Sequence, residues 1–180
     1  MQAALQLYGE RGFERTTVAE IARRAGLTER TFFRHFADKR EVLFSGEVDD
    51  LLLKTLADAP ESAAPIDAVV AALEAAGGLL EQRRDLVRQR QAVIAANPGL
   101  QERELAKFGR LASAMSDVLR RRGVDESAAS LTAQAGVAVF KSAFDRWIDE
   151  DGRRDFSRLV RESLGELQAM TAGSAAAGRI

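Results

Sequence analysis

Residues 17–39 read TVAEIARRAGLTERTFFRHFADK, and their spacing predicts two short helices joined by a tight turn. Thr17 and Glu20 have the spacing of a capping box, in which each side chain accepts a hydrogen bond from the other residue's backbone N–H. Thr28 can cap the second helix in a similar way. Gly26 follows the first helix, where a left-handed residue lets the chain turn sharply. Two helices joined in this way form a helix-turn-helix unit.

The apolar side of the second helix indicates how it is anchored. Phe32 and Phe36 are one turn apart, so they lie on the same face of the helix. This face is expected to pack into a small core. The other predicted members of that core are Val18, Ile21, Ala22, Ala25, Leu27 and Leu43.

The opposite side of this helix has the residue types that read DNA. Arg30 and Arg34 lie along one exposed stripe, and two guanidinium groups so placed can contact guanine O6 and N7 in bidentate fashion. Phe33, beside them, can lie against a thymine methyl group. Three further residues stand at predicted helix starts, where side chains and backbone N–H groups would meet phosphates. They are Thr17, Thr28 and Lys39.

The charge of this region is locally basic. Residues 11–40 contain eight Lys or Arg residues and four acids, a net charge of +4 in a chain whose total is −1. Such asymmetry would orient the protein on DNA. The spacing alone leaves a second interpretation open, because a capped helical hairpin with arginines outside can also be an ordinary solvated surface.

Composition excludes several classes of function. The 180 residues include no cysteine, which rules out disulfides, zinc fingers and thiol nucleophiles, and fits a cytoplasmic protein. The single histidine, His35, excludes a histidine-rich metal site. No apolar run approaches the ~20 residues that span a bilayer. The first residues, MQAALQLYGERG, do not have the pattern of a signal peptide.

The remainder of the chain predicts an all-α protein of about nine helices. Apolar residues recur at intervals of three and four throughout, and no strand pattern is found. We expect helix 4 to begin after Asp38 and helix 9 to end near residue 170. Gly77 and Gly78, inside helix 5, indicate a kink or a close helix crossing. The predicted organisation is a helix-turn-helix domain at 1–46, a helical domain at 47–172 and a flexible tail at 173–180.

One segment resembles a known family. GFERTTVAEIARRAGLTERTFFRHFADKREVL (12–43) closely resembles the N-terminal domain of the tetracycline-repressor (TetR) family of bacterial transcription regulators. The resemblance implies an all-α homodimer whose N-terminal helices bind DNA and whose other helices bind an effector and dimerise. The position of Phe33 is often tyrosine in that family. By their place in the motif, the DNA contacts would be Thr17, Thr28, Arg30, Thr31, Phe33, Arg34, His35 and Lys39.

The later part of the chain carries a second resemblance. RRDLVRQRQAVIAANPGLQERELAKF (83–108) and AVFKSAFDRWIDEDGRRDFSRLVRESLGEL (138–167) are similar to the actinobacterial branch with a mycofactocin-regulator-type C-terminal domain. This branch implies an acyl-CoA-like ligand. Arginines that could receive its phosphate or carboxylate groups are Arg83, Arg84, Arg88, Arg90 and Arg103.

Apolar residues at helical spacing suggest a ligand pocket and a dimer interface, although any single pocket candidate is more often plain core. The pocket candidates are Phe44, Val48, Leu52, Leu86, Ile94, Phe108, Leu111, Met115, Phe140, Phe144 and Trp147. The last two helices have the small and apolar residues that suit packing against a symmetry mate. The interface candidates are Ala135, Val139, Leu159, Leu164 and Leu167.

The expected function is that of a repressor. It would bind a palindromic operator as a homodimer and be released by a small apolar effector, with no cofactor or metal and no membrane contact. The alternative is a constitutive DNA-binding protein, or an activator, without effector-driven release. An enzyme on a helical bundle is disfavoured, because the chain has no cysteine, one histidine and no Gly-rich phosphate loop.

Overall fold

The computed structural model describes residues 1–44, 46–149 and 154–177, with side chains up to Met170, and within these ranges the protein is all-α. This confirms the predicted fold class. The described residues form nine α-helices and one 3-10 turn, Glu41–Leu43. The helices are α1 (Gln2–Arg11), α2 (Val18–Arg24), α3 (Glu29–His35), α4 (Glu47–Asp58), α5 (Pro65–Glu81), α6 (Arg84–Ala95), α7 (Pro98–Arg121), α8 (Glu126–Asp149) and α9 (Phe156–Ala177).

The chain divides into two compact units. The first combines Met1–Gly46 with Arg83–Lys107, so α6 and the first turns of α7 belong with the three N-terminal helices. The second combines Glu47–Gln82 with the chain from Phe108 onward. Each unit has its own packing and is described in turn.

The first unit is built on one apolar core under the helix-turn-helix. Phe32 is its anchor from α3 and is only 2% exposed. Ile94 and Leu100 enter the same core from α6 and α7. The predicted core members Ala25 and Leu27 are exposed, Leu27 by 43%, so that part of the prediction is wrong. Both flank Gly26 in the turn between α2 and α3, where the φ of Gly26 is 68°.

The fourth helix begins later than the sequence predicts. Asp38 does act as a cap, and its Oδ1 accepts hydrogen bonds from the N–H groups of Arg40 and Glu41 at 2.7 and 3.0 Å. Only the 3-10 turn Glu41–Leu43 follows, and α4 starts at Glu47. The carbonyl of Leu43 accepts instead from Arg90 Nε at 2.6 Å. An α-helix would need that carbonyl for the N–H four residues on, so the arginine helps to end the turn.

The second unit is arranged around α5, which contacts α4, α8 and α9. Gly77 faces α9 so closely that a Cβ there would stand 2.3 Å from Cδ1 of Phe156. Gly136 of α8 faces Val69 of α5 in the same manner, at 2.5 Å. Gly77 therefore lies at a close crossing of α5 and α9, which is one of the two interpretations that the sequence left open.

Two side chains of this unit bind the backbone at helix ends. Glu81 Oε1 accepts the N–H of Phe156 at 2.6 Å, which caps the start of α9. Arg122 donates to the carbonyls of Ala59 and Pro60, beyond the end of α4. Helix α9 continues to Ala177, past its predicted end near residue 170. Residues 178–180 of the predicted flexible tail lie outside the described residues.

Candidate nucleic-acid interface

Helix α3 is a short helix with a fixed start and a buried back. The side chain of Thr28 accepts the N–H of Thr31 at 3.1 Å, which confirms the predicted cap. Behind the helix, the ring of Phe32 packs edge-on against Phe33 and tilted against Phe36, with centroids 5.6 and 5.3 Å apart. Because the cap and the rings hold both sides, the outer face of α3 is presented in one orientation.

Helix α2 is fixed at its start in the predicted way. The Thr17 hydroxyl accepts the N–H of Glu20 at 3.3 Å, and the Glu20 carboxylate accepts the N–H of Thr17 at 2.9 Å. Hydrogen bonds from Thr17, with the nearby charge of Arg11, lower the pKa of Glu20. The side chains of Thr17 and Thr28 are therefore both used in caps. Each can offer a phosphate only the hydrogen bonds that the cap leaves unused.

The outer face of α3 is basic and partly aromatic. Arg30, Arg34 and His35 are exposed, and Phe33 is 53% exposed. Arg34 and His35 are in contact, with 3.4 Å between Nη2 and Nε2. Arg30 makes no ion pair with the described part of the chain. An exposed Phe beside unpaired guanidinium groups leaves both an apolar and a charged surface open to a partner.

About half of the basic residues counted in the sequence are engaged within the protein. Arg24 makes a bidentate contact with Glu10 at 2.9 Å, and Arg11 pairs with Glu20 at 2.6 Å. The hydrogen bond from Arg24 lowers the pKa of Glu10. Arg15 donates to the carbonyl of Arg11 at 2.7 Å. The two ion pairs tie α1 to α2, and all three arginines have a partner within the protein.

The cations that remain lie on or beside α3. Arg23, near the end of α2, and Arg40, after α3, are exposed; among the described residues neither side chain makes a hydrogen bond or ion pair with an acid, although the charge of Arg23 contributes to lowering the pKa of Glu20. Together with Arg30 and Arg34 they form the available basic set. Sequence reasoning did not single out Arg23 and Arg40, because charge counting does not distinguish a paired arginine from an unpaired one.

Lys39 is placed differently from the prediction of a phosphate contact. Its Nζ donates to the carbonyls of Phe13, Glu14 and Thr16 at 2.8, 3.1 and 3.1 Å. The ammonium also lies 4.4 Å from the ring centroid of Phe13. A lysine has three N–H donors, so in this structure all of them are directed into the protein.

The segment that follows α3 is held by two arginines from outside the helix-turn-helix. Arg90 of α6 lies 5.2 Å from the ring centroid of Phe44 and pairs with Glu104 at 2.9 Å. Arg103 of α7 lies 5.8 Å from the same ring and pairs with Glu41. Neither arginine is therefore free to receive a ligand phosphate in this arrangement. No local sequence signal links residues so far apart in the chain.

The residues proposed for an apolar pocket are distributed over both units. Phe44, Leu86 and Ile94 belong to the first unit, where Ile94 is part of the core and Phe44 and Leu86 pack against it. The remaining candidates belong to the second unit, where Val48 and Phe108 are half-buried and the others are buried. The buried ones are Leu52, Leu111, Met115, Phe140, Phe144 and Trp147.

The aromatic candidates of the second unit pack on one another. Phe140 and Phe144 are stacked with centroids 5.7 Å apart, and Phe108 lies 6.0 Å from Phe140. Trp147 and Phe156 complete the cluster at 6.0 Å. An open groove of about 460 Å³ lies elsewhere in this unit, between α7 and α8, and is lined by polar residues such as Ser116 and Gln134.

The residues proposed for a dimer interface differ in exposure. Val139 and Leu159 are buried in the second unit, 3% and 0% exposed, so they have almost no surface to offer a partner. Ala135, Leu164 and Leu167 are half-buried.

The described residues contain neither a metal-binding cluster nor a membrane-spanning helix. No group of three or more His, Cys, Asp or Glu residues there is placed to hold a metal ion. None of the helices in these ranges is both long and apolar enough to cross a membrane.

Comparison with known proteins gives matches to both parts of the chain. The family described as bacterial regulatory proteins, tetR family, matches residues 1–45, and the MftR C-terminal domain matches residues 63–172. The HTH-type transcriptional regulator TcmR of Streptomyces glaucescens is 38% identical over 80 residues, which are 43% of this chain and 35% of TcmR. The chain thus spans about a third of TcmR.

Two other proteins match over most of their length. MftR of Mycobacterium tuberculosis (strain ATCC 25618 / H37Rv), named as a candidate transcriptional regulator of mycofactocin biosynthesis, is 29% identical over 167 residues, 90% of this chain and 82% of MftR. The transcriptional regulator FadR from Bacillus subtilis, solved with stearoyl-CoA, has a TM-score of 0.61 and 18% identity over 91% of this chain and 93% of FadR. At that identity the FadR likeness concerns the fold.

Proposed function

The chain belongs to the tetR family of bacterial regulatory proteins, and from that premise we propose that it is a repressor that binds a palindromic operator as a homodimer and is released by an acyl-CoA-like effector. The observation that carries the proposal is the outer face of α3. There, Arg30 and Arg34 are exposed on a helix whose start and back are fixed, while other arginines of the region are engaged in ion pairs.

The proposed DNA contacts follow from what each side chain has available. Arg30 and Arg34 read guanine edges in the major groove, and Phe33 lies against a thymine methyl group. Arg23 and Arg40, which are exposed, meet phosphates. The Thr17, Thr28, Thr31 and His35 side chains remain proposed as supporting contacts from the same surface.

The proposed dimer uses the outer sides of α8 and α9. Leu131 of α8 is 66% exposed, one of several large apolar side chains on the surface of the described residues. Ala135 and Ala138 lie along the same side of that helix, at intervals of four and three residues. Leu164 and Leu167 of α9 are half-buried. In the dimer the two α3 helices would enter successive major grooves, about 34–36 Å apart.

The proposed effector is an acyl-CoA-like molecule that binds in the helical domain of residues 47–172. Support comes from the match to the MftR C-terminal domain and from the fold shared with FadR, which was solved with stearoyl-CoA. For release, the effector must bind the form that does not bind DNA more tightly than the form that does. Since α4 begins only at Glu47, it is separated from α3 by the 3-10 turn and is not one continuous lever with the DNA-reading surface.

The test is fluorescence anisotropy against duplexes tiled from the upstream region of the gene, at physiological salt, with and without stearoyl-CoA. Binding to one palindromic tile that stearoyl-CoA releases supports the whole proposal. Binding that no acyl-CoA changes would refute the effector class and favour the alternative, a constitutive binder or an activator. The control is Arg121→Ala, an exposed arginine at the end of α7, which should leave affinity unchanged while Arg30→Ala lowers it.

If no tile binds, selection from a randomised 30-base-pair pool follows, because the operator can lie at another gene. A chain that enriches no sequence from that pool would contradict sequence-specific DNA binding. The enzyme alternative has no support in the fold or the family, both of which are those of transcriptional regulators.

A further inference from the structure

We infer that Lys39 is a positioning residue, which sets the orientation of α3 by holding the loop before α2, and is not a phosphate contact. The inference rests on the proposed function, since it concerns how the DNA-reading helix is held. Lys39 joins two segments of the chain. Lys39 comes shortly after the end of α3 at His35, and its three acceptors belong to residues 13–16, shortly before the start of α2 at Val18.

The geometry is that of a filled cage. Three carbonyl oxygens surround one ammonium group at 2.8–3.1 Å, which are normal lengths for charge-assisted hydrogen bonds. The ring of Phe13 covers it at 4.4 Å, a cation–π distance. Lys39 could reach a phosphate only by breaking at least one of these bonds. A contact with DNA would then replace a hydrogen bond that Lys39 already makes in the free protein.

The backbone of Lys39 is fixed as well. Its carbonyl accepts a hydrogen bond from the Tyr8 hydroxyl at 2.6 Å, and burial, with the charge of Asp38 adding to it, raises the pKa of that hydroxyl. Tyr8 also packs edge-on against Phe13 at 5.1 Å. The residue after α3 is thus tied to α1 by its backbone and to the loop before α2 by its side chain.

The chain is held by such contacts both before and after the DNA-reading helix α3. At its start, α3 is joined to α2 by the turn through Gly26, in which the N–H of Leu27 donates to the carbonyl of Ala22 at 2.8 Å. At its end, Lys39 connects the chain to the other end of α2. The orientation of α3 is therefore determined at both ends, and a displacement of about 1 Å would take a base contact outside the roughly 2.7–3.2 Å range of a hydrogen bond.

The test compares Lys39→Met, which keeps most of the apolar stem, with Lys39→Arg, which keeps the charge. A duplex enriched from a randomised pool and a scrambled duplex are titrated at several salt concentrations. For a positioning residue, both variants lower the ratio of the two affinities by roughly tenfold, the size of one lost base contact. Arginine does not restore it, because a planar guanidinium does not fill a cage built around one ammonium. The salt slope stays that of the wild type.

A phosphate contact gives the opposite pattern and would overturn the inference. In that case Lys39→Met lowers the salt slope by about 0.9, weakens both duplexes equally, and is rescued by arginine. A role in stability alone would also overturn it. That role would lower the melting temperature but leave the ratio of affinities unchanged when measured well below it.

A measurement without DNA tests the cage itself. The chain has four lysines, Lys39, Lys54, Lys107 and Lys141, so acetylation by acetic anhydride can be followed at each by mass spectrometry. Lys54 is exposed and serves as the reference. Lys39 should react at least tenfold more slowly, and equal rates would refute the cage. If wild-type protein binds no duplex while Lys39 is protected, the proposed function and the positioning role in DNA reading fail, and only the cage stands.

Discussion

Gly77 and Gly78 are adjacent in α5, and replacing each with alanine separates packing from helix propensity. A Cβ at Gly77 would lie 2.3 Å from Cδ1 of Phe156 and 3.0 Å from its Cγ. Phe156 is 0% exposed and is enclosed by Phe140 and Trp147. A Cβ at Gly78 would meet nothing within 4 Å.

The magnitudes follow from these two environments. In a helix interior, alanine is more favourable than glycine by about 0.8–1 kcal/mol, and because a Cβ at the half-buried Gly78 meets nothing, Gly78→Ala should stabilise the protein by roughly that amount. Gly77→Ala has the same gain, but the ring of Phe156 must move by more than 1 Å. Overpacking of this kind costs about 1–3 kcal/mol or more, and for an enclosed ring we take the upper end. The net loss is then roughly 2 kcal/mol, and the two variants differ by about 3 kcal/mol.

The assay is thermal unfolding by circular dichroism at one fixed protein concentration, since dimerisation would make the midpoint depend on concentration. For a chain of this size, 1 kcal/mol corresponds to about 2–4 °C. Gly77→Ala should therefore lower the midpoint by roughly 4–8 °C and Gly78→Ala should raise it by roughly 2–4 °C. Equal shifts for the two variants would refute the close crossing of α5 and α9.

Three other predictions use matched or internal controls. Leu131→Glu should shift the protein to monomer in analytical ultracentrifugation, whereas Leu105→Glu, 59% exposed on α7, should not; if both remain dimeric, the α8–α9 face is wrong. Arg24→Ala breaks an exposed pair, so it should lower the melting temperature slightly and leave DNA affinity unchanged. The hydrogen bond from Arg158, with the charges of neighbouring arginines, lowers the pKa of Glu162 below its ordinary 4.5. The ionised Glu162 therefore contributes its full stabilisation above pH 4.5, and this contribution is lost as the pH falls further. Glu162→Gln should accordingly reduce the loss of melting temperature in acid, and an unchanged acid profile would contradict it.

Sequence was sufficient where structure depends on neighbours in the chain. The capping box of Thr17 and Glu20, the cap at Thr28 and the left-handed Gly26 were all predicted, and each involves residues within a few positions of one another. The start of α4 was not. Shortly before that start, the carbonyl of Leu43 accepts a hydrogen bond from Arg90, which is 47 positions away in the sequence. Local patterns cannot indicate a partner that only the fold brings near.

The same limit applies to the candidate site. Charge counting identified the basic region but treated Lys39 and Arg24 like Arg30, although the first two are engaged in the protein. Pairing depends on α1 and on the loop before α2, so it is a tertiary property. Exposure likewise separates the half-buried Ala135 from the buried Val139, although the two have the same apolar signal in sequence.

A double-mutant cycle between protein and DNA tests whether Arg34 reads a guanine from the outer face of α3. Wild-type protein and Arg34→Ala are each titrated with the selected operator and with duplexes in which single guanines are replaced by 7-deazaguanine, which has no N7 acceptor. At one position in each half-site, the base change should cost wild-type protein about 1–3 kcal/mol and cost the variant nothing further. If the two losses add at every guanine, the arginine does not contact that edge and the account of DNA reading is wrong.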